Sequence, residues 1–341
     1  MAGEEDVLSE LDKILKGEDT AKSPWKDGRY RPDMDLARRL LRVPISKGLA
    51  DKQATGRVAK SLDAWIAHEL RRAGFPEGAV WPRRSLPRVQ PEDLSPAVTQ
   101  IEAALKKLDA FEERLHKYEE AAKEMGLKRP APKLHEVRPG IRQIGERLPG
   151  KTNAEILGAF YNKQVDVVVS SWQRGPDVLV STKTMYSSYL NNKNNRYEEA
   201  VGEGKNLRDR HPLAAMGFAY LVRSNIFRED VEVGAFEYLR NLLIRLRKPH
   251  GFFDATMLLV ARWEDAAEPE LEEVEDPTSE NPPDTNLSAP KFFEDLIGAL
   301  LAYTPADVHT SIRYRDKEPL GGVPPLDEDV APDEAAAFDA D

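Results

Sequence analysis

The chain has 341 residues, 40% of them hydrophobic, which allows one large or two ordinary domains with a sizeable core. It has no cysteine, which excludes a disulfide framework and thiolate chemistry; no apolar run approaches the roughly 20 residues of a membrane span, and the acidic opening MAGEEDVLSELDK lacks signal-peptide regions, so a cytoplasmic location is expected. The net charge of -10 is uneven: residues 1–250 carry 44 Lys and Arg against 36 Asp and Glu, whereas residues 251–341 carry 5 against 23, a basic body and acidic tail that suit a polyanionic partner, although acidic tails also serve solubility alone.

Residues 1–35 mix charge, Pro and Gly around one amphipathic stretch, Val7 to Leu15, and read as a loosely held arm. Residues 36–150 read as a mostly helical region. Within it, Val58, Leu62, Trp65, Ile66 and Leu70 predict a helix over 52–73, with Gly74 as its stop. A Pro- and Arg-rich connection follows over 76–91, with Arg83, Arg84 and Arg88 near Trp81, and reads as a solvated linker. Ile101, Leu105, Leu108, Phe111, Leu115 and Tyr118 form the stripe of a long helix over 96–125.

From residue 151 the pattern becomes α/β, with a core expected over 151–318. A short helix is expected over 153–161, with Asn153 as its cap. The stretch VDVVVSSWQRGPDVLVSTK, Val165 to Lys183, reads as two strands joined by a turn at Gln173, Arg174 and Gly175. Helical spacing over 196–207, a buried strand over 213–222, an amphipathic helix over 233–247 and a second buried strand over 253–263 complete the alternation. Residues 264–287 form an acidic segment expected to be disordered, 288–303 a helix through Phe292, Leu296, Leu300 and Tyr303, and 319–341 an acidic tail with no packing signal. There is no internal repeat.

A site for phosphodiester hydrolysis needs carboxylates that can hold a divalent metal and a cation near the attacking water or the scissile phosphate. With the turn at 173–175, antiparallel pairing sets Asp166 almost directly across from Lys183, with Ser181 on the same face. Glu155, on the preceding helix, is a further oxygen ligand. Ser181 stands where such a site would hold an acid, and Glu199 and Glu203, spaced i,i+4 on the next helix, can supply the missing carboxylate. Asp177 is the more conspicuous acid, but it stands six residues from Lys183 on one strand, about 20 Å at roughly 3.3 Å per residue. Asp166 is therefore preferred, and Asp177 becomes the ligand only if the strand breaks between Val178 and Ser181.

Helix, hairpin, helix and strand with a D…(D/E)-x-K constellation resembles the PD-(D/E)XK nuclease superfamily, which includes most type II restriction endonucleases. The match is to the branch that cuts CCGG-containing sites, where Ser-x-Lys replaces acid-x-Lys and the glutamate moves to the following helix after a recognition stretch ending in Arg. Here Ser181-Thr182-Lys183 is similar to the Ser-x-Lys, Lys193-Asn194-Asn195-Arg196 to the recognition stretch, and Glu203 falls at the relocated glutamate. Asn195 departs from the acid that usually precedes the arginine, and the long gap from Lys183 to Glu203 keeps Glu199 in play.

The resemblance covers about residues 150–263. It implies a restriction-endonuclease-like mixed sheet flanked by helices, behind an N-terminal mostly helical region. It further implies a magnesium-dependent, sequence-specific endonuclease for double-stranded DNA that acts as a homodimer, with a cognate DNA methyltransferase as a partner in the same system. In that reading Asp166, Glu203 and Glu155 hold Mg2+, Lys183 orients or deprotonates the water, and Ser181 supplies a hydrogen bond.

Asn and Arg or Lys are the side chains that pair bidentately with adenine and guanine edges, so Lys193, Asn194, Asn195 and Arg196 are the candidate base readers, and Lys205, Arg208 and Arg210 the candidate phosphate contacts. The same Asn-rich run also serves as a helix cap. His211 reads as structural, and His250 and His309 have no partner at ligand spacing, so no zinc site is assigned. No Gly-rich phosphate loop or Ser/His/Asp order is present. The rivals are a catalytically inert DNA-binding or assembly module of the same fold, and a modification-dependent nuclease, which would need a base-flipping pocket.

Overall fold

A computed structural model of the chain describes residues 2–48, 54–84, 88–89, 154–171, 173–191, 193–228, 232–264, 266 and 269–316, with scattered positions between 103 and 126. Three helices open it: α1 (Ala2–Leu15), α2 (Met34–Ser46) and α3 (Ala54–Ala73). The Asp33 carboxylate caps α2 by accepting from the Leu36 N–H at 2.8 Å. α3 ends at Gly74, whose φ of +113° is available to glycine and strained for any side chain. A two-strand ladder, β1 (Trp25–Lys26) with β2 (Arg29–Tyr30), lies between α1 and α2.

The later strands are β3 (Val80–Trp81), β4 (Ala154–Leu157), β5 (Asn162–Val165), β6 (Val167–Ser171), β7 (Gly175–Met185), β8 (Ala215–Arg223), β9 (Ala255–Arg262) and β10 (Glu273–Glu275). The later helices are α4 (Lys193–Arg210), α5 (Ala235–Leu246), α6 (Ala289–Tyr303) and α7 (Thr310–Asp316). Six strands form one mixed sheet in the order β10-β9-β8-β7-β6-β3. β7, β8 and β9 run parallel, and the pairs on either side are antiparallel. The three parallel strands need helical crossovers, supplied by α4 and α5.

Each strand sends alternate residues to opposite faces. Val167, Val169, Val178 and Val180 pack with α1, α2, α3 and α6 on one face. Val168, Leu179, Phe218 and Tyr220 pack with α4, α5 and the β4–β5 hairpin on the other. The fold is therefore a mixed α/β sheet between helical layers, and the N-terminal helices share its core.

Several expectations are corrected. The supposed arm is α1, whose Val7, Leu8, Leu11 and Leu15 are buried against α3, because an amphipathic stripe with a partner within reach docks. The supposed linker contributes edge strand β3, with Arg83 and Arg88 buried and Arg88 paired with Asp12 at 2.8 Å. Residues 154–165 are the β4–β5 hairpin rather than a helix: Ala154 and Ile156 alternate inward with period two. The acidic segment after 264 is ordered over its described residues, since Leu271 and Leu287 are buried and β10 pairs with β9. The stripe expected between 101 and 118 and the tail over 319–341 lie outside the described residues; described positions between 103 and 124 are helical and exposed. Among the described residues no helix is long and apolar enough to cross a membrane.

Candidate active site

β7 is the strand on which the site is built, and its pleat separates two groups of polar side chains. Ser181 and Lys183 face α4, whereas Thr182 faces α3. β7 runs unbroken from Gly175 to Met185, so Ser181 and Lys183 keep one face. Its register with β6 pairs Val167 with Val180, so Asp166, just before β6, is not across from Lys183, and its carboxylate accepts from the Thr182 N–H at 2.8 Å. The expected register is wrong by two residues because the turn closes earlier, pairing Ser171 with Gly175, and a bulge intervenes at Val169/Ser170. Ser181 and Lys183 share a face by period two, whereas the Asp166 carboxylate is turned to the Thr182 N–H and acts on Asp63.

α4 brings both glutamates to that face. Ser181 Oγ donates to Glu203 Oε1, and Lys183 Nζ lies 3.4 Å from Glu199 Oε1. Glu203 is 1% exposed, while Glu199 and Lys183 side chains are 45% and 26% exposed, so the cluster has a closed end and an open end. Burial works to raise the Glu199 pKa, but the Lys183 and Lys163 ammoniums outweigh it and hold the carboxyl below its ordinary range. Gly204, beside Glu203, lets α4 pack closely on the loop before β9, since a Cβ there would lie 2.8 Å from the Phe252 Cβ.

Lys163, unforeseen from the sequence, completes the cluster: its Nζ lies 2.9 Å from Glu203 Oε2 and 3.8 Å from Glu199 Oε1. Burial opposes its charge, but Glu203 prevails and its pKa is raised. Asn206 of α4 fixes the hairpin that carries it, accepting from the Phe160 N–H at 2.8 Å and donating to the Tyr161 carbonyl at 3.0 Å. The available signal was the alternation of Lys163 with the buried Val165, masked by reading the segment as helical.

On the α3 face Thr182 Oγ1 donates to Asp63 Oδ1 at 2.6 Å, Lys60 lies 3.1 Å from Asp63 Oδ2, and the Thr182 N–H donates to Asp166 Oδ2 at 2.8 Å. Asp63 is fully buried. Burial pushes its pKa up to about 6, reinforced by Asp166 and only partly offset by Lys60. Asp63 and Lys60 were also missed, because the helical spacing of α3 marks only its apolar stripe.

The remaining candidates are placed as follows. Glu155 lies on β4 opposite Gln164, exposed and on the face away from Lys163, and so is not brought to the cluster. Asp177 stands toward the start of β7 with Arg174 at 3.1 Å and His309 at 3.7 Å, and the break that would make it a ligand is absent. Burial raises its pKa, but His309 and Arg174 outweigh it, and the pKa is lowered. Lys193, Asn194 and Asn195 form the first turn of α4 rather than a loop, their side chains lying outside the described part; Arg196, next on the helix, is exposed.

Lys205 pairs with Asp209 at 2.8 Å on the surface. Arg208 is not a free phosphate contact: it pairs with Asp254 at 2.6 Å and donates to the carbonyls of Pro212, Ala214 and Phe252, tying the end of α4 to the loop before β9. Arg210 is exposed. His211 is 2.8 Å from the Leu157 carbonyl, a structural contact.

The implied magnesium does not fit the carboxylates as they stand. Glu203 is buried against Ser181 and Lys163, Asp166 accepts from the Thr182 N–H, and Glu155 points elsewhere. Among the described residues no three His, Asp or Glu side chains come together closely enough to hold a metal ion. No protein-family model, curated protein or solved structure matches the chain.

Proposed function

We propose that the protein is a sequence-specific endonuclease that hydrolyses phosphodiester bonds of double-stranded DNA, a type II restriction enzyme of the PD-(D/E)XK kind acting as a homodimer. The observation that carries this reading is the meeting of Ser181 and Lys183 on β7 with Glu203 and Glu199 on the next helix. The order β6, β7, α4, β8, with β7 and β8 parallel, supports it. Lys183, at the open end, reaches a phosphate oxygen or the attacking water; as the water oxygen bonds to phosphorus the ionised Glu199 accepts the water's proton, and the phosphorus–oxygen bond to the leaving strand breaks, its oxygen taking a proton from solvent. Magnesium is part of the proposal as cofactor, although the carboxylates are paired with lysines rather than open to it.

Incubating the full chain with mixed-sequence DNA, with and without magnesium, and sequencing the ends is expected to give breaks at one defined site. Lys183→Ala is expected to lower cleavage by roughly 10²-fold or more while DNA affinity is kept. Wild-type protein that leaves DNA of varied sequence and modification uncut with magnesium or manganese rules the enzyme out. The lysine pairing of Glu199 and Glu203 then favours the second reading, a catalytically inert DNA-binding or assembly module.

A further inference from the structure

Glu199 and Glu203 stand one helical turn apart on α4, the spacing at which two like charges repel unless a cation offsets them. In this chain the cation between them is covalently part of the protein. Lys163 Nζ lies 2.9 Å from Glu203 Oε2 and 3.8 Å from Glu199 Oε1. Glu203 is 1% exposed, so its carboxylate is matched by the Lys163 ammonium and the Ser181 hydroxyl rather than by water. Lys163 is not a loose surface lysine either, because Asn206 ties its hairpin to the same helix that carries both glutamates.

We propose that Lys163 is a built-in counter-ion that closes the Glu199–Glu203 pair to divalent cations. Lys163 and Lys183 against Glu199 and Glu203 make a cluster of zero net charge. A divalent ion entering it must displace an ammonium from a partly buried carboxylate and repel the other lysine. Without Lys163 the cluster has a net charge of -1 and two carboxylates on one side of a helix, one of them desolvated. The mismatch between the implied magnesium and the donors follows directly: the resting site is held shut by its own lysine, and cation entry requires the β4–β5 hairpin to yield it. The inference rests on the endonuclease reading for its consequence, control of cleavage, but not for its test, because cation binding is measured without DNA.

Mn2+ binding to the full chain, followed by electron paramagnetic resonance of the free ion, compares wild type with Lys163→Met and with Lys163→Met plus Glu203→Gln. Lys163→Met keeps the length and apolar body of the side chain, and is expected to bind one Mn2+ at least about ten-fold more tightly than wild type. Adding Glu203→Gln is expected to remove that gain. Equal affinity in wild type and Lys163→Met, or a gain that survives Glu203→Gln, overturns the proposal. Lys163→Gln, which can still donate to Glu203, answers the same question if methionine at 163 prevents folding. A Mn2+ gain without DNA cleavage by any variant leaves the counter-ion role standing and removes the endonuclease reading; cleavage by wild type with no Mn2+ gain does the reverse.

Discussion

The two faces of β7 carry nearly the same residue types in opposite surroundings. Toward α3, a hydroxyl (Thr182), an acid (Asp63) and a lysine (Lys60) form a group sealed from water. Toward α4, a hydroxyl (Ser181), two acids and two lysines form a group that opens to solvent at Lys183 and Glu199. Burial dominates on the first face and pushes the Asp63 pKa up to about 6; on the second the lysines prevail and the Glu199 pKa falls. Residue type therefore does not tell a sealed polar group from an open one; access to water and the count of opposing charges do. The sealed group pins the strand to α3 in register, and the open group is held where that register puts it.

The contrast is most exposed to failure at Asp63. Asp63→Ala leaves the Lys60 ammonium buried without its acid, and is expected to cost about 3–5 kcal/mol in urea denaturation. A loss comparable to that of a surface substitution would show that water reaches the pair and would abolish the distinction between the faces.

The second largest effect is in pH. A carboxyl whose folded pKa is raised stabilises the fold while protonated, fully below its unfolded value near 4, and that contribution is lost as pH rises through about 6. Over this window wild type is expected to lose on the order of 3 kcal/mol relative to Asp63→Asn, at 1.36 kcal/mol per pKa unit. Parallel stability curves for the two proteins between pH 4 and 7 would refute the raised pKa.

Ser181→Ala sharpens the comparison at the closed end of the other face. It removes the donor to a buried Glu203 oxygen and is expected to cost about 1–3 kcal/mol by thermal or urea unfolding. The smallest effect belongs to the open end: Glu199→Gln is expected to change stability by no more than about 0.5 kcal/mol, as for exposed ion pairs. In a DNA-cleavage assay the same variant is expected to be strongly impaired. If Glu199→Gln instead unfolds the protein, the α4 face is as structural as the α3 face.

The amino-acid sequence by itself determined what depends on local periodicity. The stripe of α3, the β6–β7 hairpin, strands β8 and β9, and helices α5 and α6 follow from apolar residues recurring at 3.6 or 2. Period two also put Ser181 and Lys183 on one face, and i,i+4 spacing put Glu199 and Glu203 on one side of a helix; both held because covalent geometry sets them. Only the tertiary structure decided what lies opposite each residue. The earlier turn and the bulge at Val169/Ser170 took Asp166 away from Lys183 to the Thr182 N–H, and edge pairing made strands of 80–81 and 273–275, where the sequence shows a linker and an acidic loop. Docking of the β4–β5 hairpin brought Lys163 to Glu203, and the seating of α3 buried Lys60 with Asp63. The physical reason is the same throughout: the sign of a side chain's pKa shift, and whether it stabilises or reacts, are set by neighbours distant in the chain and by the water they exclude.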